Sequence, residues 1–281
     1  MAKISRRNFF KGAAAMTAMP FLAEAQTNEK EQPLKFIHIT DSHMDLSIDD
    51  SVEAMELMVE MINKDYKDLD FVVFGGDNFN NNVEGNEDAL AYKTIVDKLY
   101  CPTYHVRGNK ESHPKPDDAI HLDEFKTLFM SDKALKVQGK DWLLDVKGYA
   151  FLGLDSCIEG ANNGEYTEET MAFAETVLKT GKPTIILNHH PYTNYWKSTD
   201  SKDIHKYVLN NTQTVQKRLF GYKNLILTLS GHKHIDSVTS INKTKAIVTR
   251  GFVRPLDLDM YPMRLIEITA GKIHEKLIYT S

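Results

Sequence analysis

Five short stretches of the chain end in side chains that bind metal ions: 41-DSH-43, 76-GDN-78, 107-RGNKE-111, 188-NHHP-191 and 231-GHKH-234. Together they offer Asp41, His43, Asp77, Asn109, His189, His232 and His234, a set of imidazoles and carboxylates with one neutral amide. Such donors suit Mn²⁺, Zn²⁺ or Fe better than Ca²⁺ or Cu(I). Seven donors are too many for one tetrahedral ion, but they fill two sites if one carboxylate bridges them. Each piece alone is weak, since an isolated Gly-His or His-Pro is more often structural. The chemistry depends on whether the pieces meet.

The local sequence predicts that they do. Each stretch follows an apolar run rich in β-branched or large residues: 34-LKFIHIT-40, 71-FVVF-74, 102-PTYHV-106, 184-TIIL-187 and 224-NLILTLS-230. These read as buried strands, with helix-patterned segments between them at 51–64, 86–99 and 167–180, the first with Ser51 as a possible cap. A hairpin is expected across Lys147-Gly148. Strands at 245–251, 263–273 and 274–280 read as antiparallel, turning at Ala270-Gly271. Alternating strands and helices followed by antiparallel strands predict an α/β fold of mixed sheets faced by helices, and ligands gather beyond the carboxyl ends of strands in such sheets. The glycines beside Asp77, Asn109 and His232 are expected to let the backbone turn sharply there.

The ordered series Asp41-x-His43, Gly76-Asp77, Gly108-Asn109, His189, Gly231-His232-x-His234 resembles the calcineurin-like metallophosphoesterases, over roughly residues 34 to 251. The resemblance implies a four-layer αββα sandwich of two mixed β-sheets flanked by helices. It also implies a dinuclear metal site, with Asp41, His43 and His234 on one ion, Asn109, His189 and His232 on the other, and Asp77 bridging. The implied activity is hydrolysis of a phosphomonoester or phosphodiester on a small phosphorylated substrate, by attack of a metal-bridging hydroxide. Two other outcomes stay open: hydrolysis of a pyrophosphate bond of the nucleotide-sugar type, or a non-catalytic metal- or phosphate-binding relative disabled at Lys110.

Lys110 is where the chain departs from the family pattern, which usually has His after Gly-Asn and then an acidic residue; Glu111 keeps the acid. Three readings compete. Lys110 stabilises phosphoryl charge as a cation, His113 reaches back to replace the missing acid, or Lys110 faces solvent and the metals act alone. Arg107 and Arg250, near strand ends, are candidate substrate grips or surface residues. Tyr192, Tyr195 and Trp196 could stack on a base or sugar, or simply cover the cleft. His38 and His105 lie inside strand patterns and read as core residues. His190 is set aside because strand neighbours point to opposite sides, and Asp155 reads as structural or as support for a ligand.

The N-terminus is a separate segment. Paired Arg6-Arg7 precede an apolar stretch from Gly12 to Ala23 and a small-x-small site at Ala23-Glu24-Ala25. It resembles a twin-arginine (Tat) export signal, which implies the Tat machinery as partner, passage in the folded state, and a periplasmic or extracellular destination. The apolar stretch is too short for a stable membrane anchor. Residues 1–25 as signal, 26–32 as linker and 33–281 as one domain follow from this reading. Loss of the signal removes a net charge of +3 and moves the chain from −5 to −8. So acidic a body argues against sequence-independent binding, and no nucleic acid polymer is expected as partner. The two cysteines, Cys101 and Cys157, support no disulfide framework and read as buried thiols.

Overall fold

The apolar runs form the expected strands, arranged in two mixed sheets. The computed structural model describes residues 30–80, 85–112, 120–193, 207–253 and 261–280. The expectations for the export segment, His113, Tyr195 and Trp196 fall outside these residues.

The first sheet has the order β12 (Lys272–Tyr279), β11 (Pro262–Thr269), β1 (Leu34–Ile39), β2 (Phe71–Phe74), β3 (Thr103–His105). Here β1, β2 and β3 are parallel, and β11 runs antiparallel to both β1 and β12. The second sheet has the order β4 (Leu135–Gln138), β5 (Asp141–Val146), β6 (Tyr149–Gly153), β7 (Thr184–Leu187), β8 (Leu225–Ser230), β10 (Thr244–Val248), β9 (Ser237–Ile241). Its run from β6 through β7 and β8 to β10 is parallel.

Alternation along each strand builds the layers. Phe36 and Phe71 of the first sheet, stacked on each other, both meet Phe151 of the second at ring centroids 5.4 Å apart, and Trp142 stacks on Phe151. On the outer face of the first sheet, Phe74 packs on Tyr92 of α2 (Glu87–Val96), which in turn packs with α1 (Asp49–Asp65). On the outer face of the second sheet, Leu152 and Ile186 join a separate core. It includes Ala174 and Val177 of α5 (Glu168–Leu178) and Val215 and Leu219 of α6 (Thr212–Leu219). A four-residue α3 (Asn109–Ser112) follows β3, and α4 (Leu122–Phe129) carries Phe129 against His105. Among the described residues no helix is long and apolar enough to cross a membrane.

Both predicted turns form with left-handed residue pairs, Lys147-Gly148 and Ala270-Gly271, as two-residue hairpins require. Three details differ from expectation. The run from 245 does not join the C-terminal hairpin: β10 lies in the second sheet beside β8, because its buried face completes that sheet. β9 and β4 carry polar, half-exposed sequences typical of edge strands and lack a strand signal of their own. Ser51 sits inside α1, where its hydroxyl bonds back to the carbonyls of Ile48 and Asp45, while Ile48 occupies the cap position.

His38 and His105 are buried core residues. Burial first, and then nearby Arg264 and Lys93 respectively, pushes each pKa down to about 3. His105 lies flat on Phe74, and neither ring nitrogen has a hydrogen-bond partner. The unfolded chain takes up a proton at each below about 6.5, whereas the folded chain does not until near 3. Stability therefore falls as pH drops through that window, by about 1.4 kcal/mol per pH unit for each histidine. His105→Phe should remove one of these two proton-linked losses, so its urea midpoint should drop less than wild type between about pH 7 and pH 5. Parallel drops in the two proteins would show that His105 is not the linked group.

Candidate metal centre

Each predicted ligand lies just past the end of a strand. Asp41 and His43 follow β1, Asp77 follows β2, and Asn109 opens α3 after β3. His189 follows β7, while His232 and His234 follow β8. The first sheet thus supplies four of the seven and the second sheet three, so the cluster spans both.

The backbone reaches this arrangement in an unexpected way. Asp41, His43, Asp77, His232 and His234 all have left-handed φ, between 43° and 69°. Such angles are uncommon for residues other than glycine, so the sharp turns are made by the ligands themselves. Of the adjacent glycines, Gly76 does turn, at φ 90°. Gly108 and Gly231 instead permit close approach: a Cβ on Gly108 would run into Asp77 Oδ1, and one on Gly231 into Asp41 Oδ2.

Hydrogen bonds orient the rings. His43 Nδ1 faces Asn80 Oδ1 at 3.0 Å, and the Asn80 amide is fixed by donating to Asp45 Oδ2. His189 Nδ1 faces the Gly75 carbonyl at 2.9 Å. With Nδ1 donating in both rings, the Nε2 lone pairs point inward, as second-layer bonds do for metal-ligating histidines. His43 Nε2 then lies 3.0 Å from His234 Nε2, which is 3.2 Å from Asp41 Oδ1. His189 Nε2 lies 3.2 Å from both Asn109 Oδ1 and His232 Nδ1. Asp77 faces both groups, with Oδ1 3.5 Å from His189 Nε2 and Oδ2 3.7 Å from His43 Nε2.

Two clusters of acceptor atoms therefore face inward with too few protons to bond one another, which is the arrangement a cation resolves. Asp41, His43 and His234 form one such group, and His189 and His232 belong to a second that includes His190. Burial opposes the charged forms of Asp41 and Asp77, but the facing histidines, His234 and His189, hold both carboxyls below their ordinary range. Burial likewise disfavours a charged His189, yet Asp77 and Asp41 lift its pKa to about 9. A proton on His189 and a divalent cation are thus two alternative ways to balance the same buried carboxylates, and the donor set fits divalent ions.

The other predicted residues take varied places. Glu111 is buried, and its carboxylate accepts from the backbone N–H of Asp77, Asn78 and Gly108 at 2.6–3.1 Å. It fastens the Asp77 and Asn109 turns together. Burial and the adjacent Asp77 push its pKa up to about 7, against those three donors. Lys110 is partly exposed, and its backbone N–H donates to Asp77 Oδ1 at 2.7 Å.

Arg107 is corrected. Its guanidinium is buried and engaged by carboxylates, with Nε donating to Asp155 Oδ2 at 2.6 Å and Nη2 pairing with Glu159 at 2.7 Å. Asp155 thus has the structural role foreseen for it. Tyr192 is also corrected, since it is buried with its hydroxyl 2.6 Å from that of Tyr166. Arg250 is half-buried with Nη1 3.4 Å from the Tyr279 hydroxyl, beside Gly251, where a Cβ would touch the His234 ring.

His190, set aside in the sequence, packs 4.5 Å from the His232 ring. Its Nδ1 bonds the Ser156 hydroxyl and its Nε2 faces the Asn162 carbonyl, so both ring nitrogens are committed and it serves as packing for His232. The strand ends at Leu187, so the alternation used to exclude His190 does not extend to it. Cys101 and Cys157 are both buried and free.

A search of curated proteins finds no match. Among solved structures, a dimetal phosphatase from Danio rerio matches 88% of this chain and 99% of its own at a TM-score of 0.64 and 13% identity. A purple acid phosphatase from yellow lupin matches 90% of this chain and 52% of its own, with TM-score 0.56 and 12% identity. GAP50, the anchor in the inner membrane complex of Plasmodium, matches 89% and 85%, with TM-score 0.55 and 15% identity. At these identities the likeness concerns the fold. The family model for calcineurin-like phosphoesterases matches residues 34–236, and that for the twin-arginine translocation signal matches residues 3–23. The chain belongs to the calcineurin-like phosphoesterase family and carries a signal for export by the twin-arginine pathway.

Proposed function

We propose that this protein is a periplasmic or extracellular dinuclear metal-dependent phosphoesterase, its mature domain spanning residues 33–281. The observation that carries the reading is the placement of Asp77, one carboxylate oxygen toward each group of inward-facing donors. In this proposal Asp41, His43 and His234 hold one Mn, Zn or Fe ion, Asn109, His189 and His232 hold the second, and Asp77 bridges them. Bound there, the ions would supply charge for the phosphoryl oxygens and acidify a water for in-line attack.

The chain's own residues prepare the site. Asn80 and Gly75 hold the tautomers of His43 and His189. The Lys110 N–H fixes Asp77, and the half-buried Arg250 remains the candidate for gripping the phosphate. With no histidine after Asn109, the Lys110 ammonium supports phosphoryl charge as a fixed cation, without proton transfer to the leaving group. This favours diesters and monoesters whose leaving groups depart without a proton. Lys110→Ala should lower turnover about 10-fold or more and leave metal content unchanged; unaltered kinetics would rule the lysine out.

Metal analysis of the purified protein, with hydrolysis of bis-p-nitrophenyl phosphate and p-nitrophenyl phosphate after loading with Mn²⁺, Zn²⁺ or Fe²⁺, tests the main reading. The Plasmodium relative is described as an anchor, and a shared fold does not by itself carry catalysis. Two bound metals with no turnover on either ester would therefore favour a binding role. Turnover confined to pyrophosphate bonds would favour the nucleotide-sugar alternative.

A further inference from the structure

Arg264, on β11, is 3% exposed in its side chain and has no part in the ligand set. Its guanidinium pairs with two carboxylates, Asp236 through Nη2 and Glu275 of β12 through Nη1. Glu275 also lies 3.7 Å from Lys245 Nζ on β10 of the second sheet. A buried charge costs several kcal/mol to desolvate unless it is well paired, so so complete an enclosure calls for a reason.

Where the partners sit in the chain supplies one. Arg264 pairs in register with His38 on β1, the strand that ends in Asp41 and His43. Asp236 lies two residues after His234, in the segment that leaves β8 for β9. The donors of the Asp41–His43–His234 group therefore come from two different sheets. The Arg264–Asp236 pair links the sheet carrying the first two to the segment carrying the third. His232 has its own anchor, because its backbone N–H donates to the Asp41 carboxylate at 2.9 Å. His234 is left-handed at φ 55° and leans on Gly251, a conformation that must be held from outside.

We infer that Arg264 is a positioning residue: through Asp236 it holds His234 at the distance from Asp41 and His43 that the first ion requires. The inference rests on the dinuclear reading above. Its mark is selectivity. Releasing the pair loosens His234 and leaves the Asn109–His189–His232 group as it was.

The test is titration of the full-length, metal-stripped protein with Mn²⁺ by calorimetry. His234→Ala serves as the reference that identifies the first-ion class of sites. Asp236→Asn is the informative variant, because Asp236 is 27% exposed and Arg264 keeps Glu275 as a buried partner. It should weaken the class lost in His234→Ala by about tenfold or more, the scale of lost outer-layer support, and leave the other class within about threefold. Asp236→Glu should restore part of the loss. Equal affinities in wild type and Asp236→Asn, or both classes falling together, would overturn the positioning role. If wild type itself binds no Mn²⁺, the dinuclear reading fails first, and the unmutated protein alone reveals it.

Discussion

Asp77→Asn is expected to retain at most one metal ion per chain and to lose at least about a hundredfold in phosphoester hydrolysis. The amide matches the carboxylate in size but offers one oxygen in place of two. Asp77 Oδ1 already accepts from the Lys110 N–H while Oδ2 faces His43, so neither oxygen can do both tasks. Loss of an outer-layer partner costs about 10–100-fold in metal affinity or activity, and a bridging ligand should exceed that range. The loss should be local, because Glu111 accepts from the Asp77 backbone and not from its side chain. Metal analysis, with circular dichroism as the fold control, decides it. Two ions held at wild-type affinity would mean that Asp77 is not the bridge.

Glu111→Ala should destabilise the protein most among the substitutions considered, by about 3–6 kcal/mol. Three backbone N–H groups, from Asp77, Asn78 and Gly108, point at one buried carboxylate. Each buried donor left without an acceptor costs about 1–3 kcal/mol. For a domain of this size roughly 2–4 °C of melting temperature accompanies each kcal/mol, so a fall of at least about 6 °C is expected. Metal content should fall with it, because the two turns it joins carry Asp77 and Asn109. Glu111→Gln keeps an accepting oxygen and should recover part of the loss. A Glu111→Ala protein melting within about 2 °C of wild type would show that water replaces the carboxylate.

Residues that announce themselves by type at a strand end were legible in the sequence. Asp41, His43, Asp77, Asn109, His189, His232 and His234 converge because parallel strands deliver their carboxyl ends to one edge, a property of topology readable from strand order. Residues whose role depends on what lies across the chain were not. Arg107 has the same local signal whether it grips substrate or pairs with Asp155, and only the second sheet's position decides. Tyr192 has the same local signal whether it stacks on a ligand or covers the cleft, and its buried contact with Tyr166 comes from a distant loop. Arg264 carries no signal, because Asp236 meets it only once both sheets are stacked, while Glu275 meets it across the β11–β12 hairpin. Strand β9 was missed because an edge strand that buries little has little hydrophobic pattern to show.

The order of the strands in the first sheet governs when the site can exist. β11 lies between β1 and β12, so the strand ending in Asp41 and His43 lacks a hydrogen-bonded neighbour on one side until residues 262–279 have been made. His43 must also meet His234, 191 positions further on. The cluster therefore closes only once the chain has been made through β11. On the proposed dinuclear reading, a chain exported in the folded state by this signal would close the cluster and take up its ions before export. The metals it carried out would then be set by what is available before export, not by what the destination offers.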